Sequence, residues 1–188
     1  MAELGVSKPA FYFDAHGEAN TDRTIELARR RAEELGIAKA VVASETGLRA
    51  LKVLDGLPDA VVIIVTSAAG TRVEGSVIGD LLIGIPDDAI LKELRERGAR
   101  VVRGTDPFWN LTAHTGLIDI GKLGMRYYKV ICGGLHVCMT AVLEATDAGY
   151  LREGEEVVAM AGSFVGLDTA IVAAAPNSVN FFKDFEVR

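Results

Sequence analysis

Two apolar runs with a helical segment between them constrain the fold of this chain more than any other feature. Residues 40–43 and 60–66 are apolar almost throughout and rich in β-branched side chains, which is typical of strands covered on both faces. Between the runs, Leu48, Leu51 and Leu54 recur at helical spacing. The arrangement predicts a βαβ unit with a right-handed crossover, and therefore a parallel sheet.

The turn that follows the first run is the first candidate site. We expect the hydroxyls of Ser44 and Thr46 to cap the following helix, and Gly47 to let the backbone turn. The free N–H groups at a helix N-terminus suit a phosphate or another anion. A purely structural turn is the alternative, because any strand-to-helix connection needs a cap. Glu45 opposes an anion site if its carboxylate points inward, but matters little if it points to solvent.

Hydrophobic periodicity and the positions of glycine and proline predict the remaining helices and strands. The predicted helices cover residues 21–35, 86–97 and 125–148, and the further strands cover 11–13, 100–103, 156–161 and 169–175. Gly133 and Gly134 inside the last helix indicate close packing against another backbone, or a break. Residues 67–85 form a long loop that leaves the carboxyl end of the strand ending at Thr66. Open α/β sheets bind ligands at that edge.

A second loop rich in glycine lies between the last two predicted strands. Gly162, Ser163 and Gly166 offer backbone N–H groups that could converge on an anion. A structural hairpin is the alternative interpretation.

Composition narrows the class of protein. The chain of 188 residues, 49% of them hydrophobic, is long enough to bury one core, so we expect a single domain over residues 1–188. No apolar run suits a membrane span and the first residues lack a signal-peptide pattern, so a cytoplasmic protein is expected. The net charge of −6 argues against nucleic-acid and membrane-surface binding.

The cysteines and histidines show neither a metal-ligand spacing nor a disulfide framework. Cys132 and Cys138 are six residues apart in a predicted helix, so we expect two buried thiols on different faces. No metal site is predicted.

Several of these segments resemble one known family. Residues 40–66 resemble the start of the C-terminal α/β domain of pyruvate kinases, and residues 157–174 resemble its late strand, glycine loop and strand. Nearly the whole chain resembles the free-standing pyruvate kinase C-terminal-like proteins found largely in archaea. The shared motifs are Asn20-Thr21, Val41-Val42-Ala43-Ser44, Glu96-Arg97-Gly98-Ala99, Val137-Cys138 and the loop from Gly162 to Ala170.

The resemblance implies a three-layer α/β/α sandwich with a mostly parallel five-stranded sheet and one antiparallel strand. It also implies a site for a phosphorylated ligand between the two glycine loops, with flavin mononucleotide (FMN) as the ligand, and a homo-oligomer. The implied binding residues are Ser44, Glu45, Thr46, Gly47, Thr66, Gly162, Ser163, Gly166, Asp168 and Thr169. Glu45 stands where the kinase turn has lysine and Arg49 where it has a second serine, so the sugar bisphosphate of the kinases is not expected here.

The sequence therefore predicts a domain that binds FMN or a related nucleotide. Pyruvate kinase activity is not expected, because that active site lies in a (β/α)₈ barrel of about 250 residues. One alternative is a small flavin-dependent or hydrolytic enzyme, with His114, Glu45 and Asp168 as candidate acid–base groups. Another is a structural or interaction protein whose glycine loops are only turns.

Overall fold

The computed structural model describes residues 8–76, 79–107, 127–162 and 165–188. The strands are β1 (Lys39–Ala43), β2 (Val61–Thr66), β3 (Arg72–Ser76), β4 (Gly79–Leu82), β5 (Arg100–Arg103), β6 (Glu155–Ala161), β7 (Thr169–Ala175) and β8 (Glu186–Val187). The helices are α1 (Thr21–Leu35), α2 (Leu48–Gly56), α3 (Asp88–Glu96), α4 (Leu135–Asp147) and α5 (Phe181–Asp184), with short 3₁₀ turns at Glu18–Asn20 and Ser178–Asn180.

Six strands form one sheet in the order β5-β2-β1-β6-β7-β8. The first four strands of that order are parallel, and β1 lies between β2 and β6, with Val41 opposite both Ile63 and Ala159. β7 runs antiparallel to β6, and β8 runs antiparallel to β7. The C-terminal ends of the parallel strands therefore lie side by side, and we call this end of the sheet the carboxyl edge.

Helices cover both faces of this sheet. On one face, α1, α2 and α3 bury Ile25, Val53 and Leu94 against Val42 and neighbouring strand residues. On the other face, the core is built from α4 and the alternate strand positions, among them Cys138, Val142, Val41, Ile63 and Ala159. The predicted three-layer α/β architecture with a mostly parallel sheet is confirmed.

Three predictions about elements differ from the structure. The sheet has six strands rather than five, because the two residues of β8 add to the edge of β7. Residues 67–85 are not a plain loop, since β3 and β4 pair there as an antiparallel hairpin. Residues 11–13 form no strand.

The helix predicted over residues 125–148 is interrupted. Residues 127–131 are helical, residues 132–134 leave the helix, and α4 begins at Leu135. A Cβ on Gly134 would come 2.6 Å from Cβ of Thr169, so this glycine also packs closely against β7. Residues 125–126 lie outside the described ranges.

The first two helices bury only part of their apolar residues. α2 buries Ala50 and Val53, whereas Leu48 is exposed, because contacts with α3 and the sheet fix which face of this short helix turns inward. In α1, Ile25, Ala28 and Ala32 are buried, but Leu35 at the end is exposed. No helix in the described ranges combines the length and the apolar character needed to cross a bilayer.

Candidate functional site

The turn between β1 and α2 lies at the carboxyl edge, and the N-cap residue of the helix is Gly47, in the left-handed region at φ +82°. Gly47 has no side chain that could accept a hydrogen bond from the first turn, and no other side chain in the described part of the chain does so. The predicted capping by Ser44 and Thr46 is therefore wrong. Ser44 is buried, and its backbone N–H donates to the carbonyl of Val65 (3.0 Å), which continues the strand pairing of β1 with β2.

Gly47 is fixed by packing as well as by its backbone conformation. A Cβ at this position would come 2.7 Å from Cγ2 of Ile90 and 3.1 Å from Cδ1 of Leu94, both on α3. The turn thus presses directly on α3, and a side chain there would disturb the core and strain the backbone.

Glu45 points along the carboxyl edge toward the end of β2. Its carboxylate accepts hydrogen bonds from the hydroxyl of Thr66 (2.9 Å) and from the backbone N–H (3.1 Å) and hydroxyl (2.8 Å) of Ser67. These bonds bring two predicted site residues, Glu45 and Thr66, together. They hold the carboxylate on the end of β2, where it accepts from Thr66 and Ser67 rather than capping α2.

The loop between β6 and β7 folds tightly onto the start of α1. A Cβ on Gly162 would overlap the carbonyl of Gly166, and a Cβ on Gly166 would come 2.8 Å from the backbone nitrogen of Glu18. The N–H of Leu167 donates to the hydroxyl of Thr21 (3.0 Å). Both glycines are therefore required by close approach. Ser163, a predicted site residue, lies outside the described residues.

Asp168 and Thr169 lie where this loop meets the start of β7. The carboxylate of Asp168 accepts the backbone N–H of Gly17 (3.1 Å) and the hydroxyl of Thr169 (3.0 Å). Thr169 is buried, and its Oγ1 lies 3.1 Å from Sγ of Cys132.

The two thiols do not diverge as predicted. Cys132 lies before the start of α4, and the sulfur of Cys138 lies 3.9 Å from the carbonyl oxygen of Thr169, so both approach the same residue. The cause is the interruption at residues 132–134, which removes the helical register on which the expectation rested. Cys138 is fully buried, and burial raises the pKa of its thiol.

Residues 17 and 18 connect the two loops, and sequence reasoning missed them. Gly17 donates to Asp168, the backbone of Glu18 lies against Gly166, and the Glu18 carboxylate forms an ion pair with Arg49 in the first turn of α2 (Nε to Oε2, 2.9 Å). The loop that contains residues 17 and 18 is polar in the sequence, but no local pattern indicates which residues it contacts.

Glu144 of α4 is a second feature without a sequence signal. Its Oε2 is buried without a hydrogen-bond partner in the described part of the chain, and it lies against Gly104, where a Cβ would overlap it. Burial raises the pKa of Glu144 to about 8, together with the smaller effects of the negative charges of Asp106, Glu45 and Asp147. Glu144 therefore keeps its proton near neutral pH.

The candidate acid–base group His114 lies outside the described residues. Within the described ranges, no three His, Cys, Asp or Glu side chains are grouped so that they could hold a metal ion.

The chain matches the family model described as the pyruvate kinase alpha/beta domain over residues 22–173. The matched region includes both loops of the candidate site, but it begins after the connecting residues 17 and 18.

Proposed function

The chain belongs to the pyruvate kinase alpha/beta domain family, and on that premise we propose that it binds a phosphorylated small molecule at the carboxyl edge. The site lies between the turn 44–47 and the loop 162–169, with FMN as the first ligand to test. No pyruvate kinase activity is part of the proposal, because the described fold contains no (β/α)₈ barrel.

One observation carries the proposal: the N-terminus of α2 lies at the carboxyl edge, and its N-cap residue, Gly47, supplies no side-chain cap. α1 and α4 also begin without a side-chain cap, at Asn20 and Gly134, whereas α3 is capped. At the N-terminus of α3, the carboxylate of Asp87 accepts the N–H groups of Ala89 (2.8 Å) and Ile90 (3.3 Å). An uncapped helix start with a glycine N-cap offers its first N–H groups and the positive end of the helix dipole to an anion.

The charges around the site favour a ligand with one phosphate. Arg49 is the cation in the first turn of α2, and Glu18 already neutralises part of its charge. The carboxylates of Glu45 and Asp168 flank the edge and would repel a second phosphate at short range. Carboxylates accept hydrogen bonds from hydroxyl groups, so a polyol or nucleoside carrying one phosphate suits this surface better than a bisphosphate.

The first experiment is an absorbance spectrum of the purified protein, with mass spectrometry of whatever acid releases. Thermal unfolding with added FMN and with riboflavin then isolates the contribution of the phosphate, because riboflavin lacks only that group. Stabilisation by FMN but not by riboflavin supports the proposal. Equal effects of the two, or none, contradict it for flavins, and a panel of sugar and nucleoside monophosphates then tests the wider ligand class.

A matched pair of variants tests the location. Thr46 is half-buried beside Gly47, so Thr46→Glu places a carboxylate next to the first N–H groups of α2, and Thr46→Gln places a neutral side chain of the same shape. We expect Thr46→Glu to weaken binding of the phosphorylated ligand roughly tenfold or more, and Thr46→Gln to retain it. Gly47→Val is unsuitable, because its side chain would clash with α3.

A further inference from the structure

Ile85 adopts a backbone conformation that its own sequence context opposes. Among the described residues it is the one non-glycine with a positive φ, +52°. Isoleucine is β-branched, which makes the left-handed region unfavourable, and Pro86 follows it, which favours an extended conformation instead. Such a conformation persists only where the surroundings impose it, and strained residues of this kind concentrate at functional sites.

Contacts from three sides hold Ile85 in place. Its N–H donates to the backbone carbonyl of Glu45 (2.8 Å), and its own carbonyl accepts the guanidinium of Arg103 (2.8 Å). Its side chain is fully buried beneath the turn, where a Cβ on Gly47 would lie 3.3 Å from its Cγ2. The strained residue thus supports the same turn that carries the proposed phosphate site.

Ile85 is also where the β3–β4 hairpin rejoins the body of the protein. The hairpin projects with largely exposed strands, and its base is closed by the bond from the Ile83 N–H to the carbonyl of Thr71 (2.9 Å). At the preceding residue, a Cβ on Gly84 would come 2.6 Å from the carbonyl oxygen of Ala68 in the opposite leg.

The segments that lead into and out of the hairpin are therefore both hydrogen-bonded to Glu45. The outgoing leg donates to its carboxylate through Ser67, and the returning leg donates to its backbone carbonyl through Ile85. A displacement of the turn must move both attachments of the hairpin together.

We infer that Glu45 and the strained Ile85 form a junction that couples the turn 44–47 to the β3–β4 hairpin, so that a ligand on the turn alters the mobility of the hairpin. The ligand-dependent half of this inference rests on the proposed function. The mechanical half concerns the protein alone and is tested without a ligand.

The first test is amide hydrogen exchange of the full chain without ligand. Ile85→Gly keeps the backbone conformation but removes the buried side chain. Arg103 is exposed, and Arg103→Met removes its hydrogen bond to the Ile85 carbonyl. We expect each variant to accelerate exchange about tenfold in both the turn and the hairpin. The control Ile83→Ala, at the base of the hairpin, should accelerate exchange in the hairpin alone.

Acceleration confined to one of the two segments in both junction variants would overturn the inference. Arg103→Met keeps the test decisive if Ile85→Gly does not fold.

The second test adds FMN to the wild-type protein and to Arg103→Met. We expect slower exchange in the turn and the hairpin of the wild type, and in the turn alone of the variant. Slower exchange in the wild-type turn without any change in the hairpin overturns the coupling. If FMN changes neither segment, the proposed ligand is contradicted, while the first test still decides whether the junction exists.

Discussion

Glu18 and Arg49 form an ion pair that joins the start of α1 to the first turn of α2. Both side chains are partly exposed, and neither residue belongs to the sheet. The pair sits beside the uncapped N-terminus of α2, where a phosphate is proposed to bind. Glu18 would therefore compete with a phosphate bound there for the guanidinium of Arg49.

Glu18→Gln should strengthen binding of phosphate monoesters, because it frees Arg49 from its carboxylate. We expect the dissociation constant for FMN to fall by about twofold to fivefold, since an exposed charge pair contributes up to about 1 kcal/mol. The fold should tolerate the change for the same reason. Titration by fluorescence or calorimetry measures the effect. Glu26→Gln, which removes an exposed partner of Arg23 on the same helix, is the control. Unchanged affinity in Glu18→Gln would show that Arg49 does not meet the ligand.

Gly166→Ala should destabilise the protein by roughly 3 kcal/mol. Part of this cost comes from the left-handed backbone at φ +86°, and part from overlap with the backbone of Glu18, which cannot move aside as a flexible side chain can. Gly154→Ala is the matched control, because its φ is +80° and no atom lies within 4 Å of the added Cβ. It should cost about 1 kcal/mol, the cost of placing an L-residue in the left-handed region. Urea unfolding of both variants measures the difference, and equal losses would argue against the close packing of the β6–β7 loop on α1.

Glu144 should make the protein less stable as the pH rises through the neutral range. Its pKa in the folded protein is about 8, above the ordinary value for glutamate, so between roughly pH 4.5 and 8 the unfolded chain is ionised while the folded chain keeps the proton. Stability contributed by this proton is fully present below about pH 4.5 and is lost as the pH approaches 8.

Glu144→Gln should remove that loss. We expect the variant to exceed the wild type by about 1 kcal/mol at pH 8.5, a value reduced for the partial exposure of the side chain, or about 2–4 °C in melting temperature. At pH 4.5 the two proteins should unfold alike. Thermal unfolding across the pH range tests this, with Glu74→Gln on the exposed hairpin as control. A constant offset between variant and wild type at every pH would contradict the assignment.

The two cysteines should react very differently with an aromatic disulfide reagent. Cys132 is partly exposed, whereas Cys138 is fully buried and burial raises the pKa of its thiol, so the reactive thiolate is scarce. We expect one fast equivalent per native chain and two after unfolding, with Cys132→Ser abolishing the fast phase. Two fast equivalents in the native protein would mean that the start of α4 opens readily.

Local sequence patterns predicted those helices and strands that are determined by residues close together in the sequence. The helix predicted over residues 21–35 corresponds to α1, and the apolar run at 60–66 corresponds to β2. The helix predicted over residues 86–97 corresponds to α3, which begins at Asp88 after the N-cap residue Asp87. The helix ends are determined by residues close to them in sequence. β2 is recognisable because a strand buried on both faces is apolar throughout.

The candidate site was less predictable because its contacts are long-range. The hydroxyls of Ser44 and Thr46 had the right chemistry for capping, but the pairing of β1 with β2 and the packing of Gly47 on α3 determine the actual path of the turn. The positive φ of Ile85 contradicts its local preferences, so no local pattern could have indicated it. The ion pair joins Glu18, in the 3₁₀ turn before α1, to Arg49 on α2, and periodicity within one element cannot relate the two.

The position of β1 in the middle of the sheet has a consequence for how the chain folds during synthesis. β1 pairs on one side with β2, which follows it closely, but on the other side with β6, which comes after β2, β5 and α4 in the chain. A nascent chain can therefore assemble β1, β2 and β5 early, yet one side of β1 stays unpaired until β6 has been translated. Long-range parallel pairing of this kind folds slowly and leaves an edge open to other chains. The rate-limiting event of folding is then expected to be the docking of the β6–β7 pair.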